Sequence, residues 1–296
     1  MRYLTYEHDG AVYHGALDPE DASDQVIVQI GQGSLLNLLE RETIPSSDPQ
    51  AHLGGPRVAR SDVKILAPLP RPPKLLAVAA NYEDHVRGGG GEPVDPETAT
   101  PRLFLKPSSA IIPHDGTIEL PKVSAKSDWE VELAVVIGQR CRNVPEDRAL
   151  DVVAGYMTAN DVSVRSFDFG FERDEKHIHG FMDWLAGKWP DGFAPFGPYL
   201  VSADEIDDPH DLDLHLDVNG EVFQQGSTGS MIFKIPQLIA YASSFMTLEP
   251  GDVIETGTPA GTGVESGRRF LEPGDVMNSR VGKLGVISNP IVAPSG

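Results

Sequence analysis

Trp129-Glu130-Val131-Glu132-Leu133-Ala134-Val135-Val136-Ile137 reads as a strong β-strand over residues 130–137. Side chains alternate between the two faces of a strand, so Glu130, Glu132, Ala134 and Val136 share one face, and Val131, Leu133, Val135 and Ile137 the other. The two carboxylates are then about 7 Å apart by Cα. If the flanks are buried, two neighbouring anions are costly unless a proton or a cation neutralises them. A divalent cation meets that need. A competing reading is an edge strand with a solvated acidic face. The chain's one cysteine, Cys141, excludes a thiolate cluster and an intrachain disulfide framework. The ligands would be hard oxygens, which favours Mg²⁺, Mn²⁺ or Ca²⁺ over zinc. A third oxygen could come from Asp161, in Thr158-Ala159-Asn160-Asp161-Val162-Ser163, at the end of an apolar strand over residues 156–161. Taken alone, that segment is better explained as an ordinary Asn-Asp turn.

Outward from this strand, the chain reads as mixed α/β and rich in β. Its 296 residues include 30 Gly and 25 Pro, a composition of frequent turns and short strands. Short strands are expected at residues 2–6 and 11–13 around a His-Asp-Gly turn, and a helix over residues 34–40 with Ser34 as N-cap. Residues 67–74, Ala-Pro-Leu-Pro-Arg-Pro-Pro-Lys, form the best linker and separate a small N-terminal α+β module (residues 1–70) from a larger domain (residues 71–296). Within the larger domain, strands are expected at 75–80 and 102–105, with a loop through the glycines 88–91 up to Pro101. Helices are expected at 145–153 and 236–244. Leu212, Leu214, Leu216 and Val218 alternate with polar residues and run through Asn219-Gly220 into a hairpin. Leu-Glu-Pro-Gly-Asp-Val occurs at residues 248–253 and again at 271–276, each copy reading as a turn followed by a strand.

Charge and hydropathy narrow the function classes. Lys and Arg total 24 against 44 Asp and Glu, a formal net charge of −20. Such a surface repels phosphate backbones and anionic lipid, so neither nucleic acid nor membrane is an expected partner. The start, Met-Arg-Tyr-Leu-Thr-Tyr-Glu-His-Asp-Gly, has no apolar signal-peptide core, and the apolar run 133–137 is far too short to span a bilayer. The expected compartment is the cytoplasm.

An ordered series of motifs resembles one family. It runs Asn81-Tyr82-x-x-His85, Phe104-x-Lys106-Pro107, Glu130-x-Glu132, Gly155-Tyr156, Asn160-Asp161-Val162-Ser163-x-Arg165, Gly187-Lys188, Gly197-Pro198-Tyr199, Val218-Asn219-Gly220-Glu221 and Pro250-Gly251-Asp252-Val253-Ile254-x-Thr256-Gly257-Thr258-Pro259-x-Gly261. Any one of these is common. In this order, over residues 65–290, they resemble the fumarylacetoacetate hydrolase family. The resemblance implies a mixed β-roll catalytic domain, usually a homodimer, acting on a small 2-oxo acid. It implies Mg²⁺ or Mn²⁺ on Glu130, Glu132 and Asp161. Lys188 would stabilise an enolate, Arg165 would bind a distal carboxylate or brace a metal ligand, and Lys106 would lie at the site mouth. Thr256, Gly257 and Thr258 would hold the substrate carboxylate.

His85 matches the family's base. In many members a glutamate follows it on a short lid helix, but that position is Gly88 here. Glu92 is the expected substitute partner, with Glu83 less suited. Further departures are Asp168, where the family often has Gln, and the charged segment 171–184 with His177 and His179, a pair that could bind metal but reads better as a loop or lid surface. The expected activity is hydrolysis of a C–C bond in an acylpyruvate-like 2,4-dioxo acid. Alternatives are decarboxylation or isomerisation of a 2-oxo acid on the same metal site and, more remotely, non-catalytic metal or ligand binding.

Overall fold

The computed structural model describes residues 1–41, 44, 52–173, 176–267 and 269–295. The strand expected at 130–137 is observed as Val131–Ile137, buried along its whole length. It is no edge strand. Val153–Asn160 pairs with it on one side and Val253–Glu255 on the other, both antiparallel. Beyond Val253–Glu255 the sheet continues through the parallel strand Leu75–Ala79 to Arg102–Leu105. In the other direction it runs through Ala194–Ser202 into the N-terminal strands Arg2–His8, Ala11–Leu17, Val26–Gln32 and Arg57–Ala59. A second sheet carries Glu221–Ser227, Asp213–Val218, Val276–Val281, Val286–Val292 and Ile118–Glu119.

The alternation along Val131–Ile137 separates two cores. Val131, Leu133, Val135 and Ile137 join Leu214, Leu216, Met277 and Val281 of the second sheet in one cluster. Ala134 and Val136 turn the other way, towards Leu35, Leu38, Leu39 and Leu69. The carboxylates Glu130 and Glu132 belong to this second face, at its open end. The N-terminal segment therefore extends the main sheet and covers the same face that carries the acids, with residues 67–74 running between strands of that sheet.

Local expectations mostly hold. Asp9-Gly10 and Asn219-Gly220 both have left-handed backbone, the turn geometry that matches strand twist in hairpins. Each Leu-Glu-Pro-Gly-Asp-Val copy forms the same turn. Asp252 Oδ2 accepts from Glu249 N–H (2.7 Å), and Asp275 Oδ2 accepts from Glu272 N–H (2.9 Å). Strands Val253–Glu255 and Val276–Val281 follow directly. The helix Leu35–Leu39 begins after Ser34, but Ser34 makes no side-chain cap; Leu35 N–H instead donates to the buried Thr5 hydroxyl (2.8 Å). The helix expected at 145–153 is a 3₁₀ segment, Glu146–Val152, which buries only Ala149 and so lacks the apolar stripe that sustains an α-helix. The helix expected at 236–244 is Ile235–Phe245. The strand Val26–Gln32 has no counterpart in the sequence expectations. Among the described residues no helix is long and apolar enough to cross a membrane.

Candidate active site

Glu130 precedes the central strand, Glu132 lies within it, and Asp161 follows the end of the neighbouring strand Val153–Asn160. Two backbone links hold them together: Asp161 N–H donates to Glu130 O (2.9 Å), and Glu130 N–H donates to Asn160 Oδ1 (3.0 Å). Asn160 Nδ2 donates in turn to Ser279 Oγ of the second sheet (2.9 Å). One carboxylate oxygen from each of the three acids lies within 4.8 Å of the others, and all three residues are buried. Among the described residues this is the one such cluster of potential metal ligands. His177 and His179 sit at the start of helix His177–Ala186, outside it.

Lysines and an arginine surround the cluster. Lys188 Nζ donates to Glu130 Oε2 (2.8 Å) and Asp161 Oδ2 (2.6 Å). Arg165 bridges Glu130 Oε1 (2.6 Å) and Asp128 Oδ2 (2.7 Å). Burial pushes the Glu130 carboxyl up, but Lys188, Arg165 and His85 outweigh it and hold it well below the usual range. Burial also presses on Lys188, and the Asp161 and Glu130 charges keep it protonated. Glu132 has the opposite balance: burial, then the Asp161, Glu255 and Glu130 charges, push its carboxyl well above the usual range.

Lys106 corrects the sequence expectation. It is buried beneath Asp161 and away from the site mouth, with its ammonium donating to Asp161 Oδ1, Val162 O (3.3 Å) and Phe193 O (2.9 Å). Three donors are thereby used, and none remains for substrate. The Thr256-Gly257-Thr258 loop is likewise turned to the protein. Thr256 Oγ1 donates to Leu133 O (2.9 Å) and Thr258 Oγ1 to Val131 O (2.8 Å), which pins the loop to the central strand. Gly257 N–H donates to Glu132 Oε2 (2.6 Å), so this nest orients a protein carboxylate instead of the substrate's. Thr258 does line the cavity.

The partner of His85 is also not the expected one. Glu92 is exposed, and Glu83 pairs with Arg87 (2.8 Å). His85 Nδ1 instead meets Glu265 Oε1 at 2.8 Å. Glu265 Oε2 accepts from Gly261 N–H (2.7 Å) and Thr262 N–H (3.0 Å). A Cβ on Gly88 would come within 2.7 Å of Glu265 Oε1, so the missing side chain at 88 is what admits this carboxylate. Burial lowers the His85 pKa, but the bond to Glu265 and the charge of Glu130 outweigh it, and the net shift is upward. Asp128 ties this loop to the acids. It accepts from Gly263 and Val264 N–H as well as from Arg165. Sequence reasoning missed Glu265 and Asp128; the available signal was the Gly261-Thr262-Gly263-Val264-Glu265 loop directly after a matched motif. Asp168 is exposed and caps Gly170 N–H (2.9 Å).

The donor set fits a hard dication. Asp128, Glu130, Glu132, Asp161 and Glu255 bury five carboxylates, against three cations in Lys106, Lys188 and Arg165. Glu255, opposite Ala134 on the neighbouring strand, has no hydrogen-bond partner on either oxygen. Burial, opposed by Lys106 and reinforced by the Asp161 charge, pushes its carboxyl up to about 8. Glu132 and Glu255 are thus held towards the protonated form, and a divalent ion among these oxygens would favour their ionised form. His85, the three acids, Arg165, Lys188 and Thr258 open on one cavity of about 730 Å³.

The chain is similar to several known proteins. Residues 74–292 match the model of the fumarylacetoacetate hydrolase C-terminal domain. Oxaloacetate tautomerase FAHD2A, mitochondrial, of Bos taurus is 45% identical over 239 residues, covering 80% of this chain and 72% of the relative. The 2,4-didehydro-3-deoxy-L-rhamnonate hydrolase of Sphingomonas sp. (strain SKA58) is 45% identical over 216 residues, covering 72% and 70%. The crystal structure of maleylpyruvate hydrolase from Sphingobium sp. SYK-6 in complex with manganese(II) ion and pyruvate superposes with a TM-score of 0.77 at 28% identity, over 100% of both chains. With its acid trio, its β-rich fold and a family match over most of its length, the chain belongs to the fumarylacetoacetate hydrolase family and is an enzyme.

Proposed function

We propose that the protein hydrolyses a C–C bond in an acylpyruvate-like 2,4-dioxo acid, with Mg²⁺ or Mn²⁺ held by Glu130, Glu132 and Asp161. The observation that carries this reading is the His85–Glu265 pair, 2.8 Å apart, in the wall of the cavity that holds the acid cluster. Tautomerisation or decarboxylation needs no attacking water. A histidine oriented by a carboxylate supplies the general base for one. When bound, the cation supplies Lewis acidity to the 2-oxo acid head and favours the negative charge that develops there.

The chain's own groups do the rest. Glu265 accepts at Nδ1 and so leaves Nε2 of His85 free to take a proton from water. The water oxygen adds to the distal acyl carbonyl carbon. The C3–C4 bond then breaks, its electron pair stays on the pyruvate half as an enolate, and the acyl half leaves as a carboxylic acid. Lys188, held charged beside Glu130 and Asp161, adds positive potential next to that enolate. The proton on His85 returns to C3, giving pyruvate. Gly257 and Arg165 fix the carboxylates that frame the head group.

A second reading has support from the 45% identity to an oxaloacetate tautomerase. Here His85 would only move a proton between C3 and the enol oxygen, and no bond between carbons would break. Acetylpyruvate and oxaloacetate, assayed with Mg²⁺ and with Mn²⁺, separate the two. Hydrolysis predicts pyruvate and acetate from the first substrate and loss of that activity in Glu132→Ala and His85→Gln. Enol–keto exchange of oxaloacetate with no cleavage of acetylpyruvate would replace the hydrolytic reading with the tautomerase one. Full turnover by Glu132→Ala would overturn both.

A further inference from the structure

Beyond the acid cluster the cavity changes character. Its outer wall is formed by Leu103, Phe104, Phe181, Trp184, Leu185 and Trp189. Phe104 and Trp184 meet edge to face, with ring centroids 5.1 Å apart, and Phe181 stacks on Trp184 at 6.1 Å. The Lys188 ammonium lies 5.4 Å from the Phe104 ring and 5.9 Å from the Trp184 ring, so the aromatic wall begins where the cluster ends. Phe104 is buried, but three of the wall's rings are open to solvent: Phe181 is 52% exposed, Trp189 40% and Trp184 36%. Large apolar groups facing a cavity, and left open to water, fit an apolar occupant.

The cations point the same way. Lys106, Lys188 and Arg165 are all engaged by buried carboxylates. Among the described residues, the remaining cation lining the cavity is Arg102, exposed on the edge strand. A carboxylate on the far end of a short substrate would therefore sit among aromatic rings with no free inner cation among the described residues to meet it, a costly arrangement.

We propose that this wall is the acyl-tail subsite, and that the preferred substrates are 2-oxo acids whose acyl group is flat and apolar, aryl ketones foremost, over those ending in a second carboxylate. The inference rests on the 2-oxo acid reading above. Aromatic stacking and burial of the tail supply the preference, and Arg102 stays at the solvent edge.

The test compares benzoylpyruvate, acetylpyruvate and maleylpyruvate on the Mn²⁺-loaded enzyme. The expected kcat/KM order places benzoylpyruvate at least about tenfold ahead of the others, equivalent to about 1.4 kcal/mol. Trp184→Ala should lower the benzoyl-to-acetyl ratio about tenfold, mainly through KM, and Trp184→Phe should restore most of it. Preference for maleylpyruvate, abolished by Arg102→Ala, would overturn the proposal, as would equal use of all three. A binding measurement separates its failure from that of the hydrolytic reading. Quenching of the wall tryptophans should show phenylpyruvate binding several-fold tighter than pyruvate, whether or not any substrate is cleaved. Equal affinities would overturn the apolar subsite even if acetylpyruvate is hydrolysed.

Discussion

At the scale of single residues, the informative contact is His85 with Glu265. Three charged groups face the imidazole from different segments: burial and Arg165 lower its pKa, Glu265 and Glu130 raise it, and the sum is upward from the ordinary 6.5. Only the neutral ring can accept a proton from water, so activity should rise with pH through a limb displaced above that value. Glu265→Gln keeps the shape and removes the charge. The acidic limb of kcat/KM should then move to lower pH, because the largest raising contribution is gone. The plateau should also fall by about 10- to 100-fold as the tautomer loses its orienter. A bound dication offsets the influence of Glu130 but not that of Glu265, so the shift should persist in the loaded enzyme. A lower plateau with an unmoved limb would mean that Glu265 acts only structurally. Glu130 and Glu132 were legible in sequence as neighbours because a strand has a fixed two-residue period, while Asp161 joined them only through the family resemblance. The partner of His85 was not, since it arrives from 180 residues away, into the space that Gly88 leaves empty.

At the scale of elements, the Thr256-Gly257-Thr258 loop shows how the fold sets the site. Gly257 has φ of +95°, and an added Cβ would lie 2.8 Å from Asn81 Cβ. Asn81 cannot easily retreat. Its side chain donates to Thr256 O (2.8 Å) and Phe233 O (3.1 Å) and accepts from Phe233 N–H (2.8 Å). Gly257→Ala should therefore displace the N–H that orients Glu132. The expected result is a lower melting temperature, with a cost of about 1–2 kcal/mol from the left-handed backbone alone, and at least about tenfold weaker Mn²⁺ binding by calorimetry. Unchanged Mn²⁺ affinity would show that Glu132 needs no such support. Elements with local signals were readable: the Asn219-Gly220 hairpin and the paired Pro-Gly turns follow from which residues tolerate positive φ. The cap of helix Leu35–Leu39 was not, because Thr5 on a distant strand supplies it and Ser34 does not. The short 3₁₀ segment Glu146–Val152 was read as a helix because its acidic start resembles one, although it has no apolar face.

At the scale of the whole molecule, the proline-rich segment 67–74 reads as a boundary in sequence, yet the sheet crosses it. Strand Arg2–His8 pairs with Ala194–Ser202, and Tyr3, Leu35, Leu38 and Leu39 pack in one cluster with Ala134, Val136, Phe196 and Leu200. Composition cannot reveal this, since pairing of Arg2 with Val201 and Tyr3 with Leu200, far apart in the chain, leaves no local trace. The family match begins at residue 74, so the matched region and the N-terminal strands are joined here by packing. Removing residues 1–66 would uncover the apolar face that includes Ala134, Val136, Phe196 and Leu200 and unpair Ala194–Ser202 at Leu200 and Val201. Each large aliphatic side chain so exposed costs about 1.5–3 kcal/mol, and several together exceed the roughly 5–15 kcal/mol that holds a domain folded. The truncated chain should aggregate or run as a heterogeneous species in size-exclusion chromatography, and it should show no cooperative thermal transition and no Mn²⁺-induced stabilisation. The intact protein, stripped with chelator, should instead gain thermal stability on adding Mn²⁺, by mass action on the native state. A truncated chain that is monodisperse and still stabilised by Mn²⁺ would show that the acid cluster is held by the larger region alone.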